Sequence, residues 1–307
     1  MTVKTPILLT NLLLLITFSI WADIDIDTQN IGEENINQPA KRTPFSFDTH
    51  IDAIGGGEIT NGFYKKDKVD YGEAQVEAGM IVYYNPSYTE GGRIAVGFSP
   101  TYLNWHGNPW FEQDHFNILS VTLTGFTKRA DRWFWRTQLT ANFDTDEWSS
   151  KYTSYDLILW GRYTFCQNIG FHIGFLAETG MKLDRIYPII GFDWTISEKW
   201  KLNLVFPMNM TLIYSLNPKW SIGAAGRLFN SRFRVNHDQH SHRPLVRYTN
   251  LGAELFVQYE TKFMTANLHA GSTLWGKFRV ADHNNNHARD YDLGPAGYVG
   301  AEMEVKF

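Results

Sequence analysis

The chain has 307 residues, a formal net charge of −4, 43% hydrophobic residues and 15% aromatic residues. This length suits one large β domain or two ordinary domains, and a slightly acidic chain without a basic block argues against nucleic-acid binding. A single cysteine, Cys166, excludes an internal disulfide and a cysteine-based zinc site.

The N-terminal segment predicts export from the cytoplasm. Residues 1–22 combine a short basic start, an apolar run and a small residue, Ala22, which is typical of a cleaved signal peptide. The alternative is an anchor helix, because the apolar run is close to the minimum that spans a bilayer. Residues 23–44 are acidic and rich in Asn and Gln, which predicts a periplasmic tail. Residues 45–307 are then predicted to form an outer-membrane β-barrel.

From Phe45 onward, apolar and polar side chains alternate with period two, which predicts strands. The predicted strands are 45–53, 71–84, 93–104, 115–126, 132–143, 155–165, 169–178, 186–196, 200–206, 208–215, 219–229, 247–260, 262–275 and 298–307. Pro207 separates the ninth from the tenth, because proline cannot donate to a ladder. Long and short connections alternate with one exception, the Pro207 bend, as in a barrel with long extracellular loops and short periplasmic turns. The predicted fold is all-β, a transmembrane antiparallel barrel of about 14 strands (roughly 12–16).

A soluble β-sandwich would also alternate, so other features must separate the two folds. Strands of about ten residues match the length that a tilted strand needs to cross a bilayer. Large aromatics near the strand ends predict interfacial belts. These aromatics are Tyr84, Trp105, Trp133, Trp194, Trp200, Tyr214, Trp220 and Trp275. Together these features favour the membrane barrel.

The last strand alternates an apolar face with a charged face and carries an aromatic residue at its end. Its apolar face consists of Val299, Ala301, Met303, Val305 and Phe307. The pattern resembles the closing strand of bacterial outer-membrane barrels. That resemblance implies recognition by the barrel-assembly machinery, transit with periplasmic chaperones and contact with outer-membrane lipid.

A block of turn residues and aromatics carries a second resemblance. It contains Pro188, Gly191, Trp194, Leu202, Leu204, Pro207, Tyr214, Leu216 and Trp220. The block resembles an uncharacterised, porin-like family of Gram-negative outer-membrane β-barrel proteins. The resemblance implies the fold and a bacterial outer-membrane location, and its motif carries no catalytic group.

The inward faces of the predicted strands carry charged residues as candidate lumen-lining groups. The acidic candidates are Glu73, Glu77, Glu254, Glu302 and Glu304, with Asp48, His50 and Asp52 nearby; the basic candidates are Arg93, Arg132, Arg136, Arg162 and Arg185. Opposed acidic and basic walls would set up a transverse field that selects small polar solutes. The alternative is that these charges pair and fill a closed lumen.

These features predict a passive, porin-like channel, monomeric or trimeric, for small polar solutes. The alternative is a closed-lumen structural or surface-interaction barrel that acts through its extracellular loops. An outer-membrane hydrolase is the third hypothesis, with Asp114–His115 and Asp48–His50 as its acid–histidine pairs. No serine lies in a G-x-S-x-G motif. We therefore predict no enzymatic activity.

Two predicted loops contain histidines, the residue type that most often binds transition metals. These histidines are His237, His240, His242, His283 and His287. Their spacing matches no fixed coordination pattern, so we interpret these loops as solvated and predict no metal site and no cofactor. The repeat of Phe233–Val235 in Phe278–Val280 predicts strands that continue above the membrane surface.

Overall fold

The computed structural model describes residues 44–85, 89–182, 184–207, 209–236 and 244–307. Its strands are β1 (Phe45–Glu58), β2 (Lys68–Tyr84), β3 (Glu90–Trp105), β4 (His115–Ala130), β5 (Trp133–Asp144), β6 (Thr153–Cys166), β7 (Ile169–Gly180), β8 (Arg185–Thr195), β9 (Trp200–Phe206), β10 (Asn209–Asn217), β11 (Trp220–Arg234), β12 (Leu245–Glu260), β13 (Met264–Ala281), β14 (Arg289–Leu293) and β15 (Gly297–Lys306). The described residues also include a 3₁₀ turn at Ser150–Tyr152. Across these described ranges, no helix has the length and apolar character to cross a bilayer. The predicted signal peptide and nearly all of the predicted tail lie outside the described residues, and both stay predictions.

The strands form one closed antiparallel barrel. Each of β1 to β13 pairs with its neighbours in chain order, and β15 closes the ring by pairing with both β13 and β1. At the seam, Phe45 and Phe307 exchange two backbone hydrogen bonds of 3.1 and 3.0 Å. β14 pairs with the upper part of β13 and lies outside the ring count. The ring therefore has the predicted fourteen strands, and the predicted fold class is confirmed.

The two ends of the barrel differ in the length of their connections. One end carries both described termini and the turns at 85–89, 131–132, 167–168, 196–199, 218–219 and 261–263. The other carries longer connections at 59–67, 106–114, 145–152, 235–244 and 282–288, and shorter ones at 181–184 and 207–208. In outer-membrane barrels the short turns are periplasmic and the long loops extracellular, and we name the two ends accordingly.

The outer surface of the barrel is apolar and has aromatic pairs at its periplasmic end. Large apolar side chains are exposed on it, including Ile51, Val96, Leu123, Ile173, Ile190, Leu255 and Leu268. Aromatic pairs near the periplasmic turns are Tyr84–Phe126, Trp133–Trp135, Phe165–Phe171, Trp200–Tyr214, Trp220–Tyr259 and Phe45–Phe307. An apolar band with an aromatic girdle on a closed barrel suits a lipid bilayer, where every backbone group must be paired. The chain is therefore an outer-membrane barrel.

Trp105 is the exception among the aromatics predicted for the interfacial belt. Its side chain is 3% exposed and lies inside the barrel, with its ring 4.9 Å from Tyr291 and 5.4 Å from Phe278. The belt prediction was wrong for this residue, because at the upper end of β3 the apolar side chains fill the interior. Leu103 on the same face is buried in the same way.

The barrel wall is shorter at β9 and β10 than elsewhere, at the extracellular end. Pro207 lies between β9 and β10, as predicted, and these strands have only 7 and 9 residues. The β9 ladder on β8 begins at Ile190, and the β10 ladder on β11 ends at Gly226. Within the described residues, the upper parts of β8 and β11 therefore pair on one side only. Above this point β11 is free to leave the wall.

Candidate functional site: the barrel interior

The upper ends of β11 and β12 form a hairpin that folds into the lumen. We call residues 227–236 and 244–250 the inserted hairpin. Lower in β11, residues alternate between exposed and inward-facing, but from Phe229 to Arg234 nearly every residue is buried on both faces. The same holds for Leu245 to Asn250 in β12. A strand buried on both faces has left a wall that has lipid on one side.

One face of the inserted hairpin packs on β2 and β4 through aromatic rings. The Tyr248 ring stacks on Tyr71 at 4.2 Å with an interplanar angle of 5°, and Phe233 stacks on Phe116 at 4.4 Å. The Tyr71 hydroxyl also hydrogen-bonds the Ser231 hydroxyl. These rings belong to an apolar cluster that fills the extracellular end of the interior and includes Ile54, Val69, Leu103, Phe229, Phe278, Leu293 and Tyr298.

The opposite face of the inserted hairpin meets the inward-facing side chains of β6 and β7. Arg232 Nη2 donates to Asp156 Oδ1 at 2.6 Å, and its Nη1 lies 3.8 Å from Glu178 Oε2. Arg247 Nη2 donates to the Tyr187 hydroxyl of β8 at 3.4 Å. In a wall strand, Arg232 and Arg247 would point to lipid. Their contacts with the far wall show that the hairpin crosses the lumen.

A polar cavity of about 160 Å³ lies beside this hairpin in the middle of the barrel. Strands β1 to β7 and β11 supply most of its walls. Its polar lining includes His50, Glu73, Gln75, Glu77, Ser99, Thr101, Ser120, Thr122, Gln138, Thr140, Asn142, Ser154, Asp156, Glu178, Asn230, Ser231 and Arg232. Four carboxylates and one guanidinium make this lining net negative.

Arg227 is the centre of an ion-pair network with three carboxylates. Its guanidinium donates to Glu254 at 2.8 Å, to Glu302 at 2.5 Å and to Asp52 at 3.5 Å. Asp52 also accepts a 2.6 Å hydrogen bond from His269 Nε2, and the Tyr298 hydroxyl donates to Glu254 at 2.9 Å. Three carboxylates thus surround one guanidinium.

A second network lies on β6 to β8. Arg162 donates to both Asp193 oxygens at 2.7 and 2.8 Å. His172 Nε2 donates to Asp193 at 2.7 Å, while Trp160 Nε1 donates to His172 Nδ1 at 3.0 Å. Because the Trp160 indole N–H donates to His172 Nδ1, the proton of His172 itself lies on Nε2. Side chains from β6 and β7 therefore satisfy the Asp193 carboxylate on β8.

A third network connects β1, β2 and β3. Arg93 Nη1 lies 2.8 Å from Glu77, and its Nη2 donates to Asp48 at 3.2 Å and to Ser46 at 2.7 Å. Arg93 therefore lies among the acidic residues, as Arg227 does. The interior charges form mixed networks in place of the opposed acidic and basic walls expected from the sequence.

The other candidate lumen-lining residues contact neighbours outside these three networks. Arg136 donates to Gln138 at 3.1 Å, Arg185 donates to Tyr187 at 3.2 Å, and Glu304 lies 2.7 Å from Lys306. Glu73 accepts a hydrogen bond from Tyr71, and its Oε1 lies 3.5 Å from His50 Nε2. These groups face the interior.

Arg132 is placed differently from the expectation. It lies in the exposed turn before β5 and donates to the Tyr163 hydroxyl at 3.4 Å. The first residue of the predicted strand belongs to the turn because β5 begins at Trp133. Arg132 therefore lies at the periplasmic rim and not in the lumen.

The apolar face predicted for the last strand is the outer face of β15. Val299, Met303 and Phe307 are exposed there, while Ala301 and Val305 are partly exposed. Their recognition by assembly factors stays a prediction.

The acid–histidine pairs considered for catalysis have unlike surroundings. His115 Nδ1 lies 2.6 Å from Asp114 in an exposed position at the extracellular rim. Asp48 pairs with Arg93, whereas His50 lies beside Glu73. Each member of the Asp48–His50 pair therefore has a further charged neighbour, and the hydrolase hypothesis stays a hypothesis.

The described loop histidines lie in solvent. His287 Nδ1 is 3.1 Å from Asp282, and this hydrogen bond holds the pKa of the Asp282 carboxyl below its ordinary value. His283 Nε2 lies 2.9 Å from the side-chain amide of Asn284. His237, His240 and His242 lie outside the described residues.

A family model matches residues 113–306, more than half of the chain, and its description is domain of unknown function DUF6268. The chain belongs to the DUF6268 family. Relatives include a protein of Chlamydia pneumoniae described as uncharacterized, 22% identical over 221 residues that cover 70% of this chain and 69% of that protein. A second, from Chlamydia trachomatis serovar D, is 19% identical over 202 residues. That match covers 64% of this chain and 63% of the relative, less than two thirds of its length.

This DUF6268 chain is also similar to several solved structures. An outer-membrane channel from Pseudomonas putida F1 has a TM-score of 0.48 and 6% identity, covering 88% of this chain and 99% of that chain. A mutant of the TodX monoaromatic hydrocarbon channel has a TM-score of 0.44 and 8% identity, covering 86% and 91%. The KdgM porin has a TM-score of 0.37 and 7% identity, covering 85% and 99%.

Several interior residues of this DUF6268 barrel were missing from the sequence-based candidates. Arg227, Arg232 and Arg247 hold the networks around the hairpin, and His269 and His172 each contact a buried aspartate. Arg227 has the same parity as inward-facing Ser221 and Ala225, so alternation alone could have identified it. Arg232 and Arg247 fall at alternate positions that would face lipid if these strands stayed in the wall. A charged residue at such a position indicates that the strand leaves the wall.

Proposed function

We propose that this barrel is an outer-membrane channel for small polar solutes, narrowed by the inserted hairpin. The polar cavity beside the hairpin carries the proposal. A barrel with a purely structural role would be at least as stable with an apolar core, because replacing buried ion pairs by packed apolar groups is often neutral or stabilising. The polar lining is better explained by contact with water and solutes.

The charges around the cavity favour cations. Glu73, Glu77, Asp156 and Glu178 line it, against Arg232 alone among the charged bases of the lining. Glu178 Oε2 is buried and has no hydrogen-bond donor among the described residues, although Arg232 lies 3.8 Å away. A buried acceptor usually has a partner, here water or a passing cation. Rings of carboxylates select cations in pores.

Currents through a planar bilayer test this function. Purified protein should give discrete openings, and the reversal potential in a KCl gradient should indicate a preference for K⁺ over Cl⁻. Glu178→Gln should lower the K⁺/Cl⁻ permeability ratio roughly fivefold, which corresponds to about 1 kcal/mol of lost attraction. The matched control is Glu198→Gln, in an exposed periplasmic turn, and it should leave the ratio unchanged.

A closed-lumen barrel acting through its extracellular loops is the second candidate. It is favoured by the apolar cluster that fills the extracellular end of the interior. Wild-type protein that inserts into the bilayer without discrete openings would overturn the channel and leave this candidate.

The proposal includes the route to the membrane. Insertion by the barrel-assembly machinery after transit with periplasmic chaperones is supported by the apolar outer face of β15 and its terminal aromatic, Phe307. The interior acidic and basic residues named above remain candidate lumen-lining groups.

A further inference from the structure

We infer that His50, Asp52 and Glu73 bind a divalent transition-metal cation at the wall of the interior cavity. The inference rests on the proposed function for the route by which the ion arrives, and it names one class of solute for that channel. Binding itself can be measured without any current.

The backbone places the three side chains together. Asp52 on β1 is the direct cross-strand partner of Glu73 on β2, and His50 precedes Asp52 by two residues. Residues two apart on a strand share a face, so all three point inward. One ligand atom from each lies within 4.8 Å of the others. Metal–ligand bonds of about 2.0–2.2 Å bring ligand atoms to roughly 3–4 Å from each other, which small side-chain rotations would reach.

Hydrogen bonds from neighbouring side chains hold the two proposed carboxylate ligands in place. His269 Nε2 donates to Asp52 Oδ1 at 2.6 Å, and the Tyr71 hydroxyl donates to Glu73 Oε2. Hydrogen bonds to the ligating carboxylates are the usual outer shell of protein metal sites, where they set ligand orientation. His50 and Glu73 line the cavity, so an ion in the cavity would meet them directly.

The charge of this region supplies an independent reason. Arg227 is surrounded by Asp52, Glu254 and Glu302, and Glu73 adds a fourth carboxylate nearby. Four negative charges and one guanidinium leave an excess of three negative charges if both histidines are neutral. The four carboxylates outnumber the one guanidinium, and this acidic balance attracts a divalent cation.

The ligand types favour a transition metal. One imidazole and two carboxylates suit Zn²⁺, Mn²⁺ or Fe²⁺, whereas Mg²⁺ and Ca²⁺ prefer oxygen ligands throughout. A tetrahedral or larger coordination shell would be completed by water from the cavity.

Calorimetric titration of detergent-solubilised, chelator-treated protein tests the site. Zn²⁺ and Mn²⁺ should each bind saturably, and Mg²⁺ should bind at least tenfold more weakly. His50→Ala and Glu73→Gln should each weaken Zn²⁺ binding at least tenfold, since even outer-shell changes cost roughly 10- to 100-fold. His115→Ala, which removes an exposed histidine beside Asp114, is the matched control and should retain wild-type affinity.

Heat-modifiable gel mobility verifies that each variant is folded. If His50→Ala fails to fold, His50→Gln keeps a polar side chain and tests the imidazole alone. Absence of saturable Zn²⁺ binding in the wild type would overturn the inference. Wild-type affinity in both site variants would also overturn it, because the ions would then lie elsewhere, for example on the loop histidines. A barrel that binds Zn²⁺ but gives no channel openings would contradict only the proposed channel. A conducting barrel that does not bind Zn²⁺ would contradict only the metal site.

Discussion

Two pairs of interior side chains form hydrogen bonds across an intervening strand, each at the position of a glycine. Asp52 on β1 and His269 on β13 meet above Gly300 of β15, because Gly300 is the direct partner of both residues. Arg162 and Asp193 meet above Gly170 of β7, where a Cβ would lie 2.4 Å from Asp193 Oδ2 and 2.5 Å from Arg162 Nη2. The missing side chain leaves the space in which the two charges form their hydrogen bonds.

Gly300→Ala tests this arrangement. A Cβ at Gly300 would lie 1.9 Å from Asp52 Oδ1 and 2.3 Å from His269 Nε2, so one of these groups must move. We expect a loss of roughly 1–3 kcal/mol of unfolding free energy, which is typical of overpacking, measured by urea unfolding in detergent. Gly297→Ala on the same strand is the control, because its Cβ would have nothing within 4 Å. Equal losses in both variants would contradict this explanation.

The facing of interior residues could be predicted from the sequence, but their pairing could not. Alternation predicts that Arg162 faces inward on β6, and Asp193 has the inward-facing position on β8. Their contact depends on two strands separated by a third and on the register of both ladders. A one-residue change of register reverses every side chain, and no local pattern fixes the register between distant strands.

At the scale of the element, the inserted hairpin is the main departure from a regular barrel. In lower β11, apolar Ile222 and Ala224 have outward parity, as lipid requires. From Phe229 to Val235 the apolar residues have inward parity and the polar Asn230, Arg232 and Arg234 have outward parity. This inversion of the pattern was readable in the sequence. The sequence prediction ends the wall strand at residue 229 and places Phe233–Val235 above the membrane surface, whereas in the structure Phe233 packs inside the barrel.

The split at Pro207 was correctly predicted, but its consequence was not. β9 has 7 residues, fewer than the 9–11 that a tilted strand uses to span a bilayer. The neighbouring strands therefore lose a partner on one side near the extracellular end. The Phe233–Val235 and Phe278–Val280 segments do continue as strands to Arg234 and Ala281, and their aromatic side chains join the interior cluster.

At the scale of the whole molecule, membrane insertion depends on the outer apolar band. Leu255 on β12 is 72% exposed on that surface. Leu255→Arg should destabilise the inserted barrel by about 2–4 kcal/mol if the site lies near the bilayer midplane. Refolding into lipid vesicles, followed by gel mobility with and without boiling, measures the inserted fraction.

Phe63→Arg is the control for this change, because Phe63 is 93% exposed in the extracellular connection after β1. Its replacement should leave the inserted fraction unchanged. A barrel that tolerates Leu255→Arg as well as Phe63→Arg does not have lipid on this face.

The proposed conduction depends on the whole molecule, because the inserted hairpin narrows a lumen that all the wall strands enclose. Asn230 and Thr249 are cross-strand partners, as are Val280 and Arg289. An Asn-Gly turn can therefore replace residues 231–248 or, as a matched control at the same rim, residues 281–288. The first deletion removes the part of the inserted hairpin beyond Asn230 and Thr249, whereas the second removes Ala281 and the connection between β13 and β14.

Single-channel conductance of these two variants and the wild type in planar bilayers is the most direct measurement. We expect small discrete openings from the wild type and from the 281–288 variant, and a several-fold larger conductance from the 231–248 variant. Equal conductance in all three would show that the hairpin does not narrow the lumen. No openings from any of the three, although each inserts, would contradict the assignment of this barrel as a channel.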